Sequence, residues 1–178
     1  MGQKLNETQI TSTKRREESL VQSIQGKVKG ELTEKGEKRL AFFSQFLSFC
    51  NQRTNLFSRI SPPSYQDFIY AGTGISGTLW CVEIWKRKSR VSFGFSSPSI
   101  ELNKLRFEST FVHKTEIENI CGESLEWHFK DDQVQRGIRS NSKLGGMDDE
   151  DKWSDIQKDL IDRLIKLERA LKPYISKF

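Results

Sequence analysis

The sequence predicts an α+β fold in which two hairpins form an antiparallel sheet and helices pack against it, in the order α-β-β-α-β-β-α. Three observations carry that expectation. In "TLWCVEIWKRKSRVSFGFSS" two β-rich runs flank the charged turn "KRKS", and Val91, Phe93 and Phe95 alternate as a half-buried strand requires. In "LEWHFKDDQVQRGIRS" a second pair of runs flanks "KDDQ", with Leu125, Trp127 and Phe129 on one face of the first run and Val134 and Ile138 on one face of the second. Near the end of the chain Trp153, Ile156, Leu160, Leu164, Leu167 and Leu171 recur three or four apart, the period of an amphipathic helix.

The remaining elements follow in order. Residues 1–32 are polar and of mixed charge, with Leu20, Val21, Ile24 and Val28 thinly spaced, and are expected to form a flexible lead-in to a single α+β domain over residues 33–178. Thr33 starts the first helix, and Glu34 and Glu37 place carboxylates in its first turns, where they suit the helix dipole. Leu40, Phe43, Phe46, Leu47 and Cys50 form its apolar face, widened by Phe42 and Phe49. "SPPSYQD" is a loop stiffened by Pro62 and Pro63. Ser99 caps a further one or two helices that present Ile100, Leu105, Phe111, Ile117 and Ile120 and close at Gly122. Pro173 is expected to end the last helix. The helix–hairpin unit recurs, although no sequence repeat accompanies it.

Composition narrows the function classes. Hydrophobic residues are 35% of the 178, with 11% aromatic, enough for a core while part of the chain stays outside it. No apolar run approaches the about 18 residues that span a bilayer, so no membrane partner is expected. "MGQKLNETQI" lacks the apolar stretch of a secretory signal, and Asn6 stands where a myristoylation pattern needs Ser or Thr. The three cysteines, Cys50, Cys81 and Cys121, lie far apart beside apolar residues and read as buried thiols in a reducing cytoplasm. Cys–His catalysis would need His113 or His128 beside one of them. A net charge of +5 and a pI of 9.1 permit an acidic partner.

Several motifs invite chemistry. "GTGISG", Gly72 to Gly77, fits a phosphate-cradling pattern, but a strand pattern follows where a dinucleotide fold needs a helix N-terminus. A kinase-type loop does lie between strands, yet neither H-R-D nor D-F-G follows. The glycines are therefore expected to supply positive φ or close backbone approach, and no cofactor is expected. For a metal-dependent nuclease, Asp67 could be a first carboxylate, but neither Glu83 nor Glu126 is followed by the lysine of E-x-K. "MDDEDKW" lacks the spacing of a calcium loop and reads as the acidic entry to the last helix, so no metal is expected. Lys86, Arg87, Lys88 and Arg90 cluster at the first hairpin's turn, and Arg136 and Arg139 lie on the last strand, all candidates for phosphate contacts. Alternation places Arg136 on the apolar face of its strand, where it needs an internal carboxylate, a carbonyl or a ligand anion. Trp127 reads as core ahead of a base-stacking platform.

The stretches "FFSQFLSFCNQRTNLFSRISPP", "FIYAGTGISGTLWCVEIWKRKSRVSF", "NKLRFESTFVHKTEIENICGESLEWH" and "RALKPYI" resemble, in order and spacing, the bacterial and archaeal domain of unknown function 4268, over residues 37–176. The glycine stretch belongs to that pattern, which supports a structural role for it. Family members often carry an acidic residue after the valine of the second strand, where Ser92 follows Val91 here. The family's module is often C-terminal to nuclease-like domains, which implies work on DNA or in restriction-like defence against foreign DNA, including phage. It carries no catalytic residues across to this chain. The expected function is a non-catalytic, cytoplasmic accessory module that contacts nucleic acid, with DNA and a nuclease or other defence protein as partners. The alternatives are a nuclease-associated enzyme and a protein-interaction module acting on a partner enzyme.

Overall fold

Helix α1 (Glu34–Cys50) begins directly after Thr33 and buries Phe42, Phe43, Phe46, Leu47 and Cys50. The computed structural model describes residues 33–128 and 136–178, and of Arg136 the backbone alone. The expected lead-in over residues 1–32, the turn "KDDQ", Phe129 and Val134 lie outside these residues. Phe49, expected on the buried face of α1, is 46% exposed. It follows Phe42 by seven residues, and a heptad step drifts by about 20° around a helix, enough to carry it off the margin of that face.

Among the described residues the sheet has five antiparallel strands in the order β1-β2-β3-β5-β4. They are β1 (Phe68–Gly72), β2 (Thr78–Ile84), β3 (Ser89–Phe95), β4 (Glu126–His128) and β5 (Arg136–Asn141). Both expected hairpins are present, and β5 joins them by pairing with β3. Strand β1 is an addition to the expected order. Its five residues alternate exposed and buried, with Ile69 and Ala71 inward. A short segment between a proline loop and a glycine stretch gives little room for that alternation to show.

The glycines link β1 to β2, and no helix N-terminus stands near them in the chain. Gly74 and Gly77 take φ of +89° and +74°. At Gly77 the backbone also approaches Ser97 so closely that an added Cβ would lie 2.8 Å from the Ser97 Cβ, while the Gly77 carbonyl accepts from Ser96 N at 2.8 Å. Positive φ and close approach both occur here, as the sequence predicts.

Two helices connect the hairpins, α2 (Ile100–Phe111) and α3 (Lys114–Cys121). Ser99 caps α2 by accepting from Leu102 N at 3.1 Å, and α3 closes at Gly122, whose N–H reaches Glu118 O at 2.8 Å. The expected inward face of α2 is corrected by the structure. Ile100, Leu105 and Phe111 are exposed, Leu105 by 65%, and Asn103, Phe107 and Thr110 face the core. Asn103 is buried because its amide brackets Ser97, donating to the carbonyl at 2.7 Å and accepting from the N–H at 2.9 Å. That pair of bonds satisfies the backbone at the end of β3 and sets the rotation of α2.

A 3₁₀ turn (Glu150–Lys152) leads into α4 (Trp153–Ile175). Ile156, Leu160, Leu164, Leu167 and Leu171 are buried as expected. Pro173 does not end α4, which continues to Ile175. In the last turn a proline costs one backbone bond, and burial of Ile175 and the ring stack of Tyr174 on His113, 4.3 Å between centroids, hold the turn. Of the acidic run, Asp149 accepts from Gly146 N at 2.8 Å and so fixes the loop ahead of α4.

One core joins the helices to the inward residues of the sheet, including Trp80, Val82, Val91, Phe93, Phe95 and Ile138. Trp127 packs at its edge against Phe107 and Phe111 and donates its indole N–H to Glu118 at 3.1 Å, consistent with the core reading. Arg163 of α4 ties that helix to the sheet side, donating to Glu123, to Asp159 and to Ser140 of β5 at 3.0 Å.

Candidate nucleic-acid interface

The turn between β2 and β3 is held from below by the loop ahead of α4. Met147 N donates to Trp85 O at 2.7 Å and Asp148 N donates to Lys86 O at 2.9 Å. Gly146 lies against the same backbone, which a side chain there would strike. A turn docked by its backbone leaves its side chains free to face outward. Lys86, Arg87 and Lys88 are exposed, and none of the three makes an ion pair among the described residues. Lys88 lies 4.9 Å over the Trp85 ring.

Across a hollow of about 760 Å³ from this turn stand Lys35 and Lys38, on the first turns of α1. The lining comprises these five cations and three carboxylates, Glu34, Asp67 and Asp148, together with Trp85 and Met147. Lys35 reaches Asp67 at 3.5 Å, and Lys38 reaches Glu150 at 2.7 Å and Glu34 at 3.4 Å. The hydrogen bond to Glu150 raises the Lys38 pKa above its ordinary value. Asp67 is held below the usual carboxylate range, first by its 2.6 Å bond from Arg39 and then by the charges of Arg39 and Lys35, against burial. Sequence reasoning did not connect Lys35 and Lys38 with the turn, because about fifty residues separate them.

The other expected arginines are engaged differently. Arg90 grips Glu83 with two bonds, 2.5 and 2.9 Å, and lies 4.8 Å over the ring of Trp85. Arg139 donates to Glu126 at 2.7 Å, and Asn141 donates to the same carboxylate at 3.0 Å. The bond from Asn141, then Arg139, lowers the Glu126 pKa. Arg136 pairs through its backbone with Phe95, and its side chain lies outside the described residues. The carboxylates considered for a nuclease are thus each tied to an arginine: Asp67 to Arg39, Glu83 to Arg90 and Glu126 to Arg139.

Arg90 and Arg139 share the face of the sheet that looks away from the core. A second hollow of about 460 Å³ lies there, between Phe68 and Tyr70 on β1 and His128 and Arg139 on β4 and β5. Cys81 lies in its floor, and burial pushes its thiol up to about 12. Three strand steps separate the β2 of Cys81 from the β4 of His128, about 14 Å, too far for a nucleophile–base pair.

No helix among the described residues is long and apolar enough to cross a membrane. No curated protein and no solved structure matches the chain. A family model, Domain of unknown function (DUF4268), matches residues 38–175, and the chain belongs to that family.

Proposed function

We propose that this member of the family is a non-catalytic module that contacts nucleic acid through the hollow between the β2–β3 turn and the start of α1, in a DNA-processing or defence system. The observation that carries the contact is that Lys86, Arg87 and Lys88, exposed and in no ion pair among the described residues, face a hollow whose other wall holds Lys35 and Lys38, paired with Asp67 and with Glu34 and Glu150. Cations on two walls can hold successive phosphates, which a single solvated turn cannot do as well. Arg139 and Arg90, held by carboxylates, add little to such binding until a phosphate displaces those partners. The setting in DNA processing or defence rests on the family resemblance, and the phosphate contact rests on the charges.

The test is fluorescence anisotropy with labelled DNA across a salt series. The expected result is binding that weakens steeply with salt. Replacing Lys86, Arg87 and Lys88 by Ala lowers the slope of log K against log salt by about two to three, close to one per lost phosphate contact. No binding at low salt would refute the proposal and favour a protein partner. Cut DNA in the presence of Mg²⁺ would favour the enzyme reading.

A further inference from the structure

We infer that the open face of the sheet is a stacking surface for unpaired bases, so that the nucleic acid this module takes is single-stranded. The inference rests on the phosphate-contact reading above and adds the substrate class. Strand register lays the face out in rows. Tyr70, Cys81, Ser92, Arg139 and Glu126 lie side by side across the five strands. A second row runs Gly72, Leu79, Gly94, Gly137 and His128. Cys81, Ser92, Gly94 and Gly137 are the small residues at the centre of the face, with Leu79, the Glu83–Arg90 pair and Arg139 around them, and the outer strand β1 presents rings.

Those rings are poorly placed for a folding role. Phe68 is 38% and Tyr70 55% exposed, on alternate positions of an edge strand, with ring centroids 6.2 Å apart and planes 29° from parallel. Rings exposed beside a hollow of about 460 Å³ whose floor includes Cys81, Ser92, Gly94 and Gly137 leave room for flat groups against them. Charge separates the occupant's parts. The face itself is balanced, Arg90 against Glu83 and Arg139 against Glu126, which suits uncharged bases. The excess cations lie in the neighbouring hollow, which suits the backbone. Trp85 joins the two, since Arg90 of the face and Lys88 of the turn both lie over its ring, at 4.8 and 4.9 Å. A strand with phosphates at the turn can therefore run its bases along the face towards Tyr70. A duplex keeps its base faces stacked inside and cannot use the rings.

The experiment compares a labelled deoxythymidine oligonucleotide with a duplex of equal length, by anisotropy at fixed low salt. The wild type is expected to prefer the single strand. Tyr70→Ala and Phe68→Ala are each expected to weaken single-strand binding about tenfold and leave duplex binding unchanged. Tyr70→Phe is expected to bind as the wild type, and Tyr70→Leu, which keeps apolar bulk on the edge strand but removes the ring, to behave as Tyr70→Ala. Circular dichroism and melting of each variant confirm that it folds. If both ring variants bind the oligonucleotide as tightly as the wild type while the Lys86, Arg87 and Lys88 replacement abolishes binding, the stacking surface is refuted and the phosphate contact stands. A wild type that prefers duplex refutes the stacking surface as well. A wild type that binds neither nucleic acid refutes both readings.

Discussion

Gly146→Ala tests how the basic turn is held. An added Cβ would fall well inside contact distance of Trp85 O, 2.5 Å from Lys88 N and 2.8 Å from Arg87 N. All three are backbone atoms, so no side chain can rotate away, and the turn and the loop must part. The parting threatens the bonds from Met147 N to Trp85 O and from Asp148 N to Lys86 O. Losing both costs about 2 kcal/mol. Forcing a methyl into closed packing costs about 1–3 kcal/mol. Alanine restricts the unfolded chain and returns about 0.4–1 kcal/mol. The net is a loss of about 2–4 kcal/mol, or about 5–15 °C in Tm for a chain of this size. Urea unfolding and thermal melting by circular dichroism measure it. Gly72→Ala is the control, because its Cβ would meet nothing within 4 Å, and it is expected to be no less stable than the wild type, gaining up to about 1 kcal/mol. A Gly146→Ala protein that melts with the wild type would refute the reasoning, since the docked backbone would then be yielding freely. Because the turn carries Lys86, Arg87 and Lys88, the same variant is expected to weaken DNA binding.

Two further outcomes follow from the ionisable groups. Arg39 and Lys35 lower the Asp67 pKa in the folded protein, so the unfolded chain binds a proton more readily there. The stabilisation is complete above the unfolded value of about 3.9 and is lost as pH falls through the folded value. Arg39→Ala should therefore flatten the fall in unfolding free energy between about pH 5 and 2, and an unchanged acid profile would contradict the pairing. Burial pushes Cys81 to about 12 and Cys50 and Cys121 to about 11. At neutral pH the native protein is expected to react slowly with iodoacetamide and the urea-unfolded protein quickly at all three sites, read by mass spectrometry. Rapid native labelling of Cys81 would contradict the raised pKa.

Local pattern was enough for much of the fold. The apolar period of α4, the Ser99 cap, the Gly122 stop and the alternation in β3 are each written within a few residues, and each is present. Where neighbours in space decide, the sequence misled. Ile100, Leu105 and Phe111 of α2 point outward because Asn103 is needed against Ser97, and a periodicity count weighs a leucine above an asparagine. Pro173 reads as a stop, but side-chain packing of Ile175 and Tyr174 outlasts the one bond it removes.

The candidate site divides in the same way. Lys86, Arg87 and Lys88 stand together in the chain at a hairpin tip, so the sequence by itself determined that they face solvent, while Arg90, expected with them, is held by Glu83. It also determined that the glycine stretch opens into a strand, because a strand pattern follows it; that β1 precedes it was decided by the tertiary structure. Tertiary structure alone decided which cations share a hollow, which arginines are gripped by carboxylates, and that Phe68 and Tyr70 lie on the open face. The physical reason is that charge pairing and solvent exposure depend on distances of a few ångströms between residues far apart in the chain, and those distances are set by strand register and helix rotation.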